Sequence, residues 1–366
     1  MNSLTNHLIN RRTLLKYGSI CMSSLIAACT QKSQLSGGNS GSDRVTLAAD
    51  WTAVAEHGGF YQALATGIYQ NHGLDVTIRM GGPQANGTQL LMGGLIDFNM
   101  GNPIDAIKAV AEGIPKITVA AIFQKDPQCL IAHPNPDIKT LADLKGKPIY
   151  VSSAANVTYW PFLKAKYGFT DDQKRPYNFN PVPFIVDKNS AQQGYITHEP
   201  LMIEKQGGFK PLVFLLADYG YLSYAATIET RKELVEKNPD LVQRFVDASI
   251  QGWYSYLQNP DPGNSLIKKE NPKITDEELA YGLAKFKEYE MILSSEAQKQ
   301  GIGTMSKDRW KLLFESMAEL GIYARNLNYQ DAFTVQFVNK GVDYYLAESS
   351  PNLISQKNGK NQQHIN

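Results

Sequence analysis

Val45-Thr46-Leu47-Ala48-Ala49, Gly58-Gly59-Phe60-Tyr61-Gln62-Ala63-Leu64-Ala65 and Asn71-His72-Gly73-Leu74-Asp75 follow one another early in the chain and decide its fold class. They read as a short strand, a helix that stops near Gly67, and a turn into a second strand from Asp75 to Met80. The pattern continues with a helix from Asn86 to Met92, a strand from Ile96 to Met100, and a helix from Pro103 to Glu112. Asn102 caps that last helix and Pro103 suits its first position, where no N–H is needed. Lys116 to Phe123 is a β-branched strand. Strands and helices alternating at this spacing predict a parallel sheet built from βαβ units.

A second α/β set follows. Leu141 to Pro148 leads into the strand Ile149-Tyr150-Val151, and the loop Ser152-Ser153-Ala154-Ala155-Asn156-Val157 enters a helix expected to begin near Thr158. Phe184-Ile185-Val186, Gly194-Tyr195-Ile196-Thr197 and Leu212 to Leu216 read as further strands. After Ala225 the pattern is helical: Arg231 to Val235, a long amphipathic helix from Asn238 to about Gln258, and helical periodicity in 275–290 and 307–320.

The 366 residues are enough for about two domains with sizeable cores. With 36 basic and 35 acidic residues and no basic run, the chain carries no electrostatic footprint for nucleic acid. Of the cysteines, only Cys129 lies beyond the first thirty residues, so the body offers neither an internal disulfide nor a multi-cysteine zinc site. The histidines are scattered without metal-ligand spacing, and there is no Gly-x-Ser-x-Gly elbow, His-Glu-x-x-His pair or Walker loop. No cofactor, metal site or catalytic residue is expected.

The N-terminus reads as an export signal. Arg11-Arg12 opens a twin-arginine n-region, and the uncharged stretch Tyr17 to Ala28 is too short to span a bilayer. Leu25-Ile26-Ala27-Ala28-Cys29 resembles the lipobox of bacterial lipoproteins, which makes Cys29 the lipidated residue of the mature chain. The expected organisation is a signal peptide at 1–28, a flexible tether at 29–44 and a C-terminal tail at 346–366. Between tether and tail lie three body segments, 45–122, 123–224 and 225–345.

Four pieces carry a family resemblance: Asp50-Trp51 with His57 six residues on; Gly67-Ile68-Tyr69 before His72 to Val76; Leu141 to Ile149; and Asn238-Pro239-Asp240 through Phe245. In this order they are similar to the solute-binding proteins of ABC importers, in the branch of nitrate, sulfonate, taurine and thiamine-pyrimidine binders. The resemblance implies an α/β periplasmic-binding-protein fold of type II. Its two lobes are mostly parallel sheets flanked by helices and joined by a hinge. The first lobe is 45–122 plus 225–345, the second 123–224. It also implies a monomer that binds a small molecule in the cleft and delivers it to permease and ATPase subunits, touching the membrane only through its lipid.

Within the branch, the spacing of Trp51 and His57 leans toward pyrimidine binders. Trp51 would stack on a flat heterocycle, beside Asp50, with His57 donating to a ring nitrogen or carbonyl and Glu199 accepting from an exocyclic amine. Ser152, Ser153 and Asn156 occupy a loop suited to carbonyl or anion recognition. Asn102, Gln124, Trp160, Tyr219 and Tyr221 complete the candidates by position. A small anion such as an alkylsulfonate, taurine or nitrate is the alternative ligand. The fungal pyrimidine synthase of the same fold is the competing enzyme. By strand order, Gly101 and Asp105 stand where its lysine and histidine belong, and Tyr219 to Thr227 holds no cysteine run.

Overall fold

The computed structural model describes residues 41–83 and 85–347, so the export signal, Cys29 and the tail beyond 347 lie outside the described residues. Two five-stranded sheets organise the body. The first contains β1 (Asp43–Ala48), β2 (Leu74–Arg79), β3 (Phe98–Gly101), β4 (Lys116–Phe123) and β10 (Ala225–Arg231), in the order β2-β1-β3-β10-β4. The second contains β5 (Gln128–Ala132), β6 (Ile149–Val151), β7 (Lys174–Pro176), β8 (Ala191–Tyr195) and β9 (Leu212–Leu215), in the order β7-β6-β8-β5-β9. The two sheets follow one plan. In each, three strands pair in parallel and the remaining two pairings are antiparallel.

Each lobe is therefore a mixed sheet rather than the mostly parallel one expected. The cause is a strand in each sheet that the sequence pattern conceals: in the second it is β5, antiparallel to both β8 and β9, and in the first it follows the second lobe. Ala225–Arg231, expected to lead into helices, is β10, wedged antiparallel between β3 and β4. It carries Glu229 in the middle of the sheet, where a charge breaks the apolar run that marks a buried strand. Glu229 Oε2 accepts from Lys116 Nζ at 2.8 Å and from Asn99 Nδ2 at 3.4 Å, and both charged side chains are almost fully buried (0% and 2% exposed). Gly101 makes room for the pair, since a Cβ there would lie 2.3 Å from the Glu229 carboxyl carbon.

Other elements form where local chemistry asks for them. Asn102 caps Pro103–Ala111 by accepting from the Asp105 amide (3.0 Å), and Asn238 caps Pro239–Gln258 in the same way through the Leu241 amide (3.2 Å). The 20-residue helix Pro239–Gln258 buries Phe245 against Phe98 (3.9 Å between stacked rings) and Trp253 edge-on to Phe60 and Phe123. Phe184-Ile185-Val186 corrects another expectation: it is not a strand but the end of a short helix, Val182–Val186, with Pro183 in its first turn.

Removing one partner of a buried ion pair strands the other charge. Lys116→Met should therefore lower the free energy of urea unfolding by about 3–5 kcal/mol, and the double variant Lys116→Met/Glu229→Leu by less. A loss below about 1 kcal/mol in the single variant would show that the pair is not the buried contact described.

Candidate functional site

The parallel strands of both sheets point their carboxyl ends at the same crevice. After β1 comes the loop 49–54, after β2 the loop from 80, and after β3 Asn102; after β6 comes Ser152, after β7 the loop 177–181, and after β8 Ile196. In open α/β sheets this is where ligands bind. The loops meet in one ring contact, Trp51 from the first lobe against Phe179 from the second, with centroids 4.3 Å apart at 47°. Tyr177 stands 5.2 Å behind Phe179. Trp51 is held by its carbonyl, which accepts from the Gly81 amide (3.0 Å), and a Cβ on Gly81 would lie 2.3 Å from the Ala49 carbonyl oxygen. Phe179 sits in the left-handed region at φ +58°, a conformation that costs a bulky residue on the order of 1–3 kcal/mol.

The polar groups around this contact are acidic. His57 Nδ1 accepts from the Val54 amide (3.4 Å), which leaves the proton on Nε2 to donate to Asp50 Oδ1 at 2.9 Å. His57 is 1% exposed, so it orients Asp50, which is half-exposed in the crevice, rather than facing a ligand itself. Glu56, buried beside His57, accepts from the hydroxyl of Thr197 and so links the two lobes. Glu199 opens the helix Glu199–Gly207 and its Oε2 accepts from the Tyr195 amide (2.8 Å). Burial pushes its carboxyl up, against the opposing pull of His198 and the Tyr195 amide, with Glu56 adding to the rise. Gln193, in the middle of β8, accepts from the Ser152 amide (2.6 Å) and the Tyr159 hydroxyl (2.8 Å).

The NMT1/THI5-like family profile matches residues 54–262. The chain belongs to this family. RibY, a riboflavin-binding protein of Chloroflexus aurantiacus, is 26% identical over 308 residues, covering 81% of this chain and 87% of its own. A formylaminopyrimidine-binding protein of Halalkalibacterium halodurans is 24% identical, over 62% of this chain and 70% of its own. The 4-amino-5-hydroxymethyl-2-methylpyrimidine phosphate synthase of Legionella pneumophila is 22% identical, over 63% and 75%. Among solved structures, the periplasmic aliphatic sulphonate binding protein SsuA of Escherichia coli superposes with a TM-score of 0.58 at 13% identity, over 79% of this chain and 91% of its own. The fold is thus that of the periplasmic binding proteins.

Against this NMT1/THI5-like frame the remaining candidates separate. Trp160 is a core residue, not a cleft one: it is 1% exposed, packs edge-on against Phe169 and donates to Asp171 Oδ1 (3.0 Å). Asn102 has both ends committed to Asp105. Ser153 and Asn156 are exposed, and Asn156 accepts from Lys174 Nζ (2.8 Å). Tyr219 packs on Phe214 and Tyr167 within the second lobe. Gln124 braces the first crossing between lobes by donating to the Ala121 and Thr304 carbonyls, while its own carbonyl accepts from Arg309. With Tyr221 it lines a hinge cavity of about 320 Å³ that does not include Trp51.

Glu56, Tyr177, Phe179, Gln193 and Asp126 escaped the sequence reading. Only Asp126 left a signal, in Asp126-Pro127 at the boundary between the two strand sets. Burial raises its carboxyl to about 7, opposed by the Gln128 amide on Oδ1 (2.8 Å). The folded state therefore holds this proton up to about pH 7, and the unfolded chain releases it near pH 3.9. Between those values the folded state binds more protons, so stability falls as pH rises. Compared with Asp126→Asn, the wild type should lose up to about 1.4 kcal/mol of unfolding free energy per pH unit between about pH 4.5 and 7 in urea titrations. Identical pH profiles for the two proteins would contradict a proton held at Asp126.

Proposed function

We propose that this chain is an extracytoplasmic solute-binding protein that takes a flat nitrogen heterocycle, a thiamine-precursor pyrimidine or a related ring, between its lobes. It hands that ligand to the permease of an ABC importer. The observation that carries the reading is Trp51. It is a half-buried indole at the carboxyl ends of the first sheet, turned to the other lobe, with Asp50, Glu56 and Glu199 close by. An indole face supplies stacking that any flat ring accepts, and carboxylates accept from amines and ring N–H groups. Asp50, half-exposed beside Trp51, is an acceptor that suits an N–H and not a sulfonate or nitrate, which favours the heterocycle over the anion.

The names of two relatives, a riboflavin binder and a formylaminopyrimidine binder, support a ring-shaped ligand. Binding rather than synthesis is supported by Gly101: a side chain in that position would run into the Glu229 carboxylate. The mechanism is closure, in which the lobes shut on the ligand, the cleft dries and the closed form docks to the permease. We further propose export through the N-terminal signal, anchoring by lipid on Cys29, and a monomeric body.

A thermal-shift screen of the body against riboflavin, 4-amino-5-hydroxymethyl-2-methylpyrimidine, taurine, ethanesulfonate and nitrate tests the reading. A ligand at 100 times its Kd adds about 2.7 kcal/mol. A heterocycle should shift the wild type, and Trp51→Ala should weaken its binding by about 1–3 kcal/mol in calorimetry. A response to sulfonates or nitrate alone, or unaltered affinity in Trp51→Ala, would overturn it.

A further inference from the structure

We propose that Phe179 is an internal stand-in for the ligand, a plug on one face of Trp51 with which any ring stacking on that face must compete. The proposal deepens the heterocycle-binding reading and rests on it. Insertion of a ring between two others takes two van der Waals contacts, about 7–8 Å from face to face. Trp51 and Phe179 stand with centroids 4.3 Å apart, so no ring fits between them as they lie. A ligand that stacks on Trp51 must displace Phe179.

The backbone at Phe179 is suited to giving way. Its φ of +58° is a left-handed conformation that bulky L-residues avoid, and the neighbouring Asn178 and Asn180 are exposed. The strained conformer is the one that brings the phenyl ring to Trp51. Displacing it gives up the phenyl ring's contacts with both Trp51 and Tyr177 and its burial, a loss that relief of the strain only partly offsets. A flat heterocycle replaces the lost contact with its own stacking on the indole. An aliphatic sulfonate has no ring to offer and leaves the indole face bare. Every ligand that needs this face meets the same cost of moving Phe179, so the plug lowers affinity in general and the choice between ring and sulfonate falls to stacking on Trp51.

Tryptophan fluorescence tests the plug without any ligand, because Trp160, Trp253 and Trp310 are all at most 1% exposed and acrylamide quenching reports chiefly on Trp51. Phe179→Gly, and Phe179→Asn as a second residue tolerant of positive φ, should raise quenching of the ligand-free protein and leave the urea midpoint nearly unchanged. Calorimetry with riboflavin and the aminopyrimidine should show about 2- to 12-fold tighter binding in both variants, the loss of one competing aromatic pair. The preference for these rings over ethanesulfonate should not narrow, because a solute that does not use the indole face gains nothing from the vacated ring. Unchanged quenching, or weaker heterocycle binding in the Phe179 variants, would overturn the plug. If Trp51→Ala is weakened while Phe179→Gly is weakened too, the heterocycle site stands and Phe179 is a second wall of it. Equal heterocycle affinity in wild type and Trp51→Ala would sink the functional reading itself.

Discussion

The ion pair between Lys116 and Glu229 closes the first lobe around a strand that arrives late. The chain builds β1 to β4, leaves to make the whole second sheet, and returns to insert β10 between β3 and β4. Each crossing joins an edge strand of one sheet to an interior strand of the other, β4 to β5 on the way out and β9 to β10 on the return. Putting a carboxylate at its centre is costly by itself, and the ammonium on β4 with the amide of Asn99 on β3 offsets much of that cost. Because the partners lie on the two strands flanking β10, the pair also specifies where the strand goes. A strand that slipped by one residue would turn Glu229 to the other face and away from Lys116.

The crevice inherits its character from the same arrangement. The two sheets share one strand plan, and the residues that meet between them, Trp51 with Phe179 and Glu56 with Thr197, lie in the segments that follow parallel strands. The direct contacts across the mouth are modest: one tilted ring pair, one hydroxyl on Glu56, and the exposed pair between Lys205 and Glu277. An exposed ion pair contributes about 0–1 kcal/mol. The hinge is braced more firmly, by Gln124 between two carbonyls and by Arg309 lying over the Tyr224 ring at 3.9 Å. A stiff hinge and a lightly held mouth are what a binding protein needs in order to open and shut for small changes in free energy.

Much of this was legible where local chemistry sets structure. The Asn-Pro pairs at 102–103 and 238–239 name their helices because the side chain supplies a cap and the proline needs no donor. Lys116 to Phe123 stands out as a strand because seven of its eight residues are buried on both faces. Thr227-Ile228-Glu229-Thr230 did not, since its polar side chains are matched only by residues on β3 and β4 that are distant in sequence. Trp51 was visible as an aromatic at the end of a strand, whereas its partner was not. Phe179 lies in an irregular loop of asparagine and proline, and nothing within ten residues of it says that a tryptophan more than a hundred residues earlier will cover it.

His57 shows how a correct residue can carry a different role. A histidine six residues after Trp51 was expected to meet the ligand, and the structure places it at the end of the short 3-10 helix Ala55–His57 that follows the loop 49–54. Its two nitrogens are nonetheless both taken, one by the Val54 amide and one by Asp50. The imidazole is buried and the carboxylate is presented, so the hydrogen-bonding character of the site changes from donor to acceptor. In the proposed reading, the half-exposed Asp50 accepts from an N–H of the ligand. That is a stronger chemical constraint on the solute than the indole alone, because every flat ring stacks and only some of them donate.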